Sequence, residues 1–170
     1  MTTPSEQEAV DAQASKVLAF LEVETNKQFL FKRDLLLKNI PKLKTKSLER
    51  GLKVDFGGLY GVQHIQMRDG DRANMLGMRI QAQMLIDSGL SNMLGIRTYE
   101  NVWVPLSPED MLDLSWKILS GYVGTMQLAW DFEDLVRSAL ILEDLPEVPE
   151  IFELPVTETL SVAKGRDAVS

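Results

Sequence analysis

The sequence predicts an α+β protein: three main helices, two short antiparallel β-hairpins, and an extended acidic C-terminal segment. Three observations predict it. Apolar residues recur at helical spacing in "AVDAQASKVLAFL" and again in two later stretches. Alternation of period two, broken by glycine, marks "LKVDFGGLYGVQHIQM" and "NMLGIRTYENVWVPL". Three prolines spaced among acids then run through "EDLPEVPEIFELPVTETL".

The first helix places Val10, Ala14, Val17, Leu18 and Leu21 on one face. It continues through "FLFKRDLLLKNI" and is expected to stop near Pro41, because the residue before a proline is pushed out of the α region. The stripe is as narrow as a coiled-coil seam, so further copies of the chain are candidate partners beside packing within its own domain. Residues 1–41 form this N-terminal helical segment.

Residues 52–142 form the predicted core domain. Leu52, Val54 and Phe56 alternate with Lys53 and Asp55, and Gly57-Gly58 supplies positive φ for a turn. The second strand carries Ile65 and Met67. "DRANMLGMRIQAQMLIDSG" then turns helical, with Met75, Met78, Ile80, Met84 and Leu85 on its apolar face and Gly89 ending it. A second strand pair surrounds Tyr99-Glu100-Asn101. The third helix opens with Ser107 as N-cap, Pro108 in its first position and Asp110 three residues after the cap. Its apolar face carries Leu112, Trp116, Leu119, Val123, Met126 and Trp130, with Trp116 and Trp130 expected to face the core or a stable interface. Gly121 and Gly124 each weaken a helix by about 1 kcal/mol relative to alanine, and mark a close helix crossing or a kink.

Residues 143–170 form the acidic arm. Ile151, Phe152 and Leu154 are too apolar for a plain solubilising tail and are the candidate partner-binding residues, docking on a neighbour by strand addition or in pockets; a partly disordered tail is the alternative. The last ten residues have the composition of a frayed terminus.

Charge narrows the function classes. The net charge of −7 and pI of about 4.8 argue against nucleic acid or an anionic membrane as partner. The charge is also uneven: nine bases and two acids lie between Lys27 and Lys53, against twelve acids and two bases between Ser107 and Glu158. The basic block reads as a solvated linker or helix face, with a phosphate-binding patch and intramolecular or intersubunit steering toward the acidic C-terminal segment as the alternatives. The absence of cysteine excludes disulfides, thiolate zinc sites and cysteine nucleophiles. "MTTPSEQEAVDAQ" has neither a positive n-region nor an apolar h-region, so no signal peptide is expected. No apolar run approaches the roughly 20 residues of a membrane span.

The stretch "HIQMRDGDRANMLG" holds the one histidine, His64, and the pair Asp69 and Asp71. An EF-hand would need further oxygen donors at alternating positions, where this chain has Arg72, Ala73 and Met75. A zinc site would need several His or Cys ligands. The local reading is simpler: Asp69-Gly70 turns the chain and Asp71 caps the following helix. "FGGLYG" is neither a phosphate loop nor a dinucleotide fingerprint, and no nucleophile motif surrounds His64. The acids Asp131, Glu133 and Asp134 read as a solvated helix face. No catalytic residue, metal or cofactor is expected.

Taken in order, "HIQMRDGDRANMLG", "IRTYENVWVPLSPEDMLDL" and "GYVGTMQLAWDFEDLV" resemble an uncharacterised domain family that recurs in tailed bacteriophages, often in tail-fibre proteins or beside their genes. The resemblance covers roughly Leu52 to Ala139. In that family a Trp near the end of the long helix is often followed by a Lys-Asp pair. Phe132 and Glu133 depart from this pattern, which sets that end of the helix apart. The resemblance implies a tail component at the baseplate or fibre attachment, present in the virion and in the host cytoplasm during assembly. Its implied partners are other tail, baseplate or fibre proteins. An assembly chaperone for fibre or tail proteins is the alternative.

Overall fold

The structure, a computed structural model, describes residues 4–157 and 159–160. It contains helix α1 (Pro4–Arg50), strands β1 (Leu52–Asp55) and β2 (Val62–Ile65), and helix α2 (Asp69–Asp87). Strands β3 (Leu94–Arg97) and β4 (Trp103–Leu106) follow, then helix α3 (Pro108–Ser138) and a 3₁₀ turn (Leu142–Asp144). Among the described residues, three helices and two small antiparallel two-stranded sheets make this an α+β fold.

The chain divides into two compact units whose boundaries differ from 41, 52 and 142. One comprises residues 1–40 and 131–148; the other comprises 41–130 and 149–170. In the first, Phe29, Leu36 and Ile40 of α1 are buried, as are Phe132, Val136, Ala139 and Leu145. In the second, β1 pairs with β2 in the register Leu52↔Ile65 to Asp55↔Val62, and β3 pairs with β4 from Leu94↔Leu106 to Arg97↔Trp103. Its core joins Val54, Phe56, Met67, Val104, Leu106, Met111, Leu114 and Ile118.

Helix α1 does not stop at Pro41; it runs for 47 residues to Arg50. A proline inside a helix removes one hydrogen bond and costs about 3 kcal/mol. Burial on both sides of it offsets that cost: Leu36 and Ile40 are buried before Pro41, and Ser47 and Leu48 pack after it. Gly51 then ends the helix at φ 86°.

The glycine turn of the first hairpin has its left-handed conformations at Gly57, Gly58 and Gly61. Helix α2 ends as its sequence predicts. Gly89, at φ 66°, donates to the carbonyl of Ile86, and Leu90 donates to that of Leu85. The buried face of α2 is narrower than the predicted stripe. Met75 and Ala82 are buried, whereas Ile80 and Met84 are exposed.

Helix α3 is rotated from the predicted face. Met111, Leu114, Ile118, Thr125, Ala129, Phe132 and Val136 point inward, and Trp116, Val123 and Trp130 are each more than half exposed. Two interleaved stripes of helical spacing exist here, and the small residues choose between them. A side-chain carbon on Gly121 would meet Leu52, and one on Gly124 would meet Leu154, each at 3.0 Å. The glycines therefore mark close contacts with β1 and the arm rather than a helix crossing, and the bulky tryptophans turn outward. Arg79 lies over the Trp116 ring, 4.0 Å from its centroid.

Candidate functional site

Each edge of the first hairpin is covered by a later part of the chain, and the candidate functional residues gather along these two edges. On the β1 edge lies the arm. Thr157 donates to the Lys53 carbonyl, Leu160 donates to the Asp55 carbonyl, and Val54 and Thr157 form a parallel bridge. The Asp55 carboxylate accepts from the Gly57 N–H at 2.8 Å and from the Thr159 hydroxyl at 2.7 Å. The Thr159 bond first, then the Gly57 bond, holds this carboxyl below its usual value. Phe152 is buried and donates its N–H to the buried Ser47 hydroxyl. Leu154 and Leu160 join the core, and Ile151 is half-buried.

This corrects the expectation for the arm. Strand addition does occur, but onto the chain's own β1 edge. Ile151, Phe152 and Leu154 are used within the unit and are not free anchors for a neighbour. Of the intramolecular and intersubunit pairings expected between the arm glutamates and the basic block, the structure shows an intramolecular one, Glu153 with Lys53. The hydrogen bond from Lys53 and its charge hold the Glu153 carboxyl below its usual value. The last ten residues lie outside the described residues.

On the β2 edge His64 is gripped by the turn of the second hairpin. Glu100 accepts the His64 backbone N–H with one carboxylate oxygen (2.9 Å) and bonds the imidazole Nδ1 with the other (2.5 Å). Tyr99 donates its N–H to the His64 carbonyl at 2.8 Å and sets its ring edge-on to the imidazole. Burial pushes the Glu100 carboxyl up; the hydrogen bonds from the His64 backbone and ring overcome this and hold it below its usual value. With Nδ1 bound to the carboxylate, Nε2 is buried without a hydrogen-bond partner. The geometry locks two hairpins together, and it leaves the ring nitrogen that a catalytic histidine would offer closed off from solvent. Glu100 was missed in the sequence, where it reads as a turn residue. The available signal was weak: a buried histidine needs a partner, but that partner lies 36 positions away.

Because folded Glu100 binds its proton more weakly than the unfolded chain does, this link stabilises fully above the ordinary carboxyl value of 4.5. The contribution is lost as pH falls through the lower folded value. Urea denaturation of the wild type and Glu100→Gln should therefore give a stability difference that narrows as pH is lowered below 4.5. A difference that widens there would contradict the link.

The Asp69–Asp71 corner is a helix start. Helix α2 opens at Asp69 with Arg68 as N-cap, so Asp71 is not the N-cap but the third helical residue. The chain enters the helix one residue before Asp69 because Arg68 is extended (φ −63°, ψ 164°). Asp71 still caps, from inside the helix: its carboxylate accepts the Arg68 backbone N–H at 3.2 Å and the Arg68 Nε–H at 2.8 Å. Ser107 is the N-cap of α3; its hydroxyl accepts the Asp110 N–H at 3.1 Å and donates to the Asp110 carboxylate at 2.8 Å. Ser107→Ala should cost about 0.5–2 kcal/mol, and Asp71→Ala about 0.3–1 kcal/mol, read from thermal unfolding. Isothermal titration showing a divalent cation bound stoichiometrically at Asp71 would contradict the capping role.

A groove of about 790 Å³ lies beside these elements in the second unit, lined by Lys46, Arg50, Lys53 and Arg68 together with Glu49, Glu150 and Glu153. The Arg50 guanidinium covers Tyr99, Lys53 pairs with Glu153 and Arg68 with Asp71, so much of the positive charge is already met. Among the described residues no group of three or more His, Cys, Asp or Glu side chains is arranged to hold a metal ion. No helix among them is long and apolar enough to cross a membrane. Comparison of the chain with family models, curated proteins and solved structures finds no match.

Proposed function

We propose that this chain is a non-catalytic structural component of a bacteriophage tail, at the baseplate or the fibre attachment. The sequence resemblance over Leu52–Ala139 supplies the setting. The observation that supports a structural role is the exposed apolar residues of α2 and α3 in the second unit. Trp116, Val123 and Trp130 stand seven residues apart on α3, each more than half exposed, and α2 exposes Leu76, Ile80 and Met84. Tryptophan and methionine are enriched at interface cores, and exposed apolar surface on this scale marks contact with other proteins. The reading assigns no catalytic residue and no cofactor, and it takes other tail, baseplate or fibre proteins as the partners of this face. It places the chain in the virion, and in the host cytoplasm during assembly.

Quantitative mass spectrometry of purified phage particles tests the proposal. A fixed copy number per particle, matching a threefold or sixfold tail symmetry, is the expected result. Presence in the infected-cell lysate but absence from finished particles would replace it with the assembly-chaperone reading.

A further inference from the structure

We infer that the split between β2 and β3 is a strand-addition site: an extended segment of another protein pairs with the free edge of β3 and sets one apolar side chain into the crevice beside it. The site lies apart from the exposed faces of α2 and α3 and does not depend on the tail setting.

The hydrogen bonds locate the split. Thr98 donates its N–H across the second hairpin to the Val102 carbonyl, whereas Tyr99 donates outward to the His64 carbonyl. Backbone groups alternate sides along a strand, so the N–H and C=O of Gly95 and Arg97 point the same way as the Tyr99 N–H, away from β4. On the facing strand the His64 backbone points toward the second hairpin, because its N–H reaches Glu100 and its carbonyl accepts from Tyr99. Gln66, just past β2, points that way too. Antiparallel register from the His64–Tyr99 bond would set Gln66 opposite Arg97. Among the described residues, however, neither of these two nor Gly95 forms a backbone hydrogen bond on this side. The two strands are joined at His64 and Tyr99 and then diverge.

A crevice of about 210 Å³ occupies the gap, with Gln66 on one side, Gly95, Ile96 and Arg97 on the other, and Met75 and Met78 of α2 lining it. Size and chemistry select the occupant. The volume is below the roughly 300–1,000 Å³ of small-molecule sites. Unpaired donors and acceptors along a strand edge are matched by another peptide backbone. In a strand laid along β3, the residue opposite Ile96 shares the face of Ile96, which packs on the core, so the methionines receive an aliphatic or methionine side chain there. Its neighbours lie on the other face, where the half-exposed Trp103 ring covers Gly95; a side-chain carbon on Gly95 would stand 2.1 Å from that ring. A second copy of the chain does not meet these needs. Its arm is already paired with β1, and Gln66 and α2 flank its own β3 edge, which keeps two folded sheets from meeting edge to edge.

Amide NMR of the full chain, titrated with the end-blocked peptides Lys-Thr-Val-Thr-X-Thr-Val-Thr-Lys, tests the site, with X as Leu, Ile, Met or Asp. Before peptide is added, the amides of Gly95 and Arg97 should exchange with solvent faster than those of Ile96 and Thr98. The Leu, Ile or Met peptides should slow Gly95 and Arg97, shift Met75 and Met78, and bind about tenfold or more tighter than the Asp peptide. Of two versions of the tightest peptide, N-methylated at alternate residues in opposite phase, at least one should fail to bind. Slow exchange of Gly95 and Arg97 in the free chain would show the edge already filled, by this chain or a second copy, and would overturn the inference. So would no binding by any of the three apolar peptides, equal binding by the Asp peptide, or undiminished binding by both N-methylated versions.

Discussion

A chain ending at Val148 should lose the cooperative unfolding of its second unit, because the arm is part of that unit's core. Phe152 and Leu160 are 7% and 2% exposed, and Leu154 packs onto the core cluster beside Gly124. Truncating one buried phenylalanine costs roughly 3–5 kcal/mol. Total stabilities are commonly about 5–15 kcal/mol, so losing Phe152, Leu154 and Leu160 together, with the two backbone bonds to β1, should remove most of that margin. Phe152→Ala alone should lower the unfolding free energy by roughly 3–5 kcal/mol in urea denaturation. Val156→Ala, at a position 47% exposed, should be nearly silent. A truncated chain with the wild-type midpoint and slope would show that the arm is only laid on the surface.

Gly51→Ala should be the most damaging single glycine substitution. At φ 86° an L-residue is strained by about 1–2 kcal/mol, and the added carbon would stand 2.1 Å from the Ile65 carbonyl oxygen. That atom belongs to backbone, so it cannot swing aside as a side chain would. Relief requires moving β2 away from the end of α1, where Met67 donates to the Leu48 carbonyl. A loss above about 4 kcal/mol is expected, in the range reserved for strain and broken core packing. Gly58→Ala provides the control: its φ is also left-handed, but nothing lies within 4 Å of the added carbon. It should cost only the backbone term. Equal losses at the two sites would mean that the α1–β1 junction yields freely.

The strand alternation of Leu52–Phe56, the glycine turn, the Gly89 helix end and the Ser107 cap are local features, set by periodicity, by φ or by a hydrogen bond within three residues. Each is legible because neighbours in the chain decide it. The helix start at Asp71 was off by three residues for a related reason: several polar residues in "RDGDR" can start a helix, and the entry angle of the chain selects among them.

The sequence by itself determined the fold class, the order of elements and the absence of cysteine chemistry, since period and composition suffice for these. Tertiary structure alone decided the continuation of α1 through Pro41, the face that α3 buries and the return of the arm to β1. In each case local preference was outweighed by burial between residues far apart. Leu36 and Ser47 bracket the proline, Leu52 and Leu154 claim the glycine side of α3, and Phe152 reaches Ser47 across 105 positions. The His64–Glu100 pair belongs with them, because a buried ring nitrogen takes whichever acceptor the folded chain brings to it.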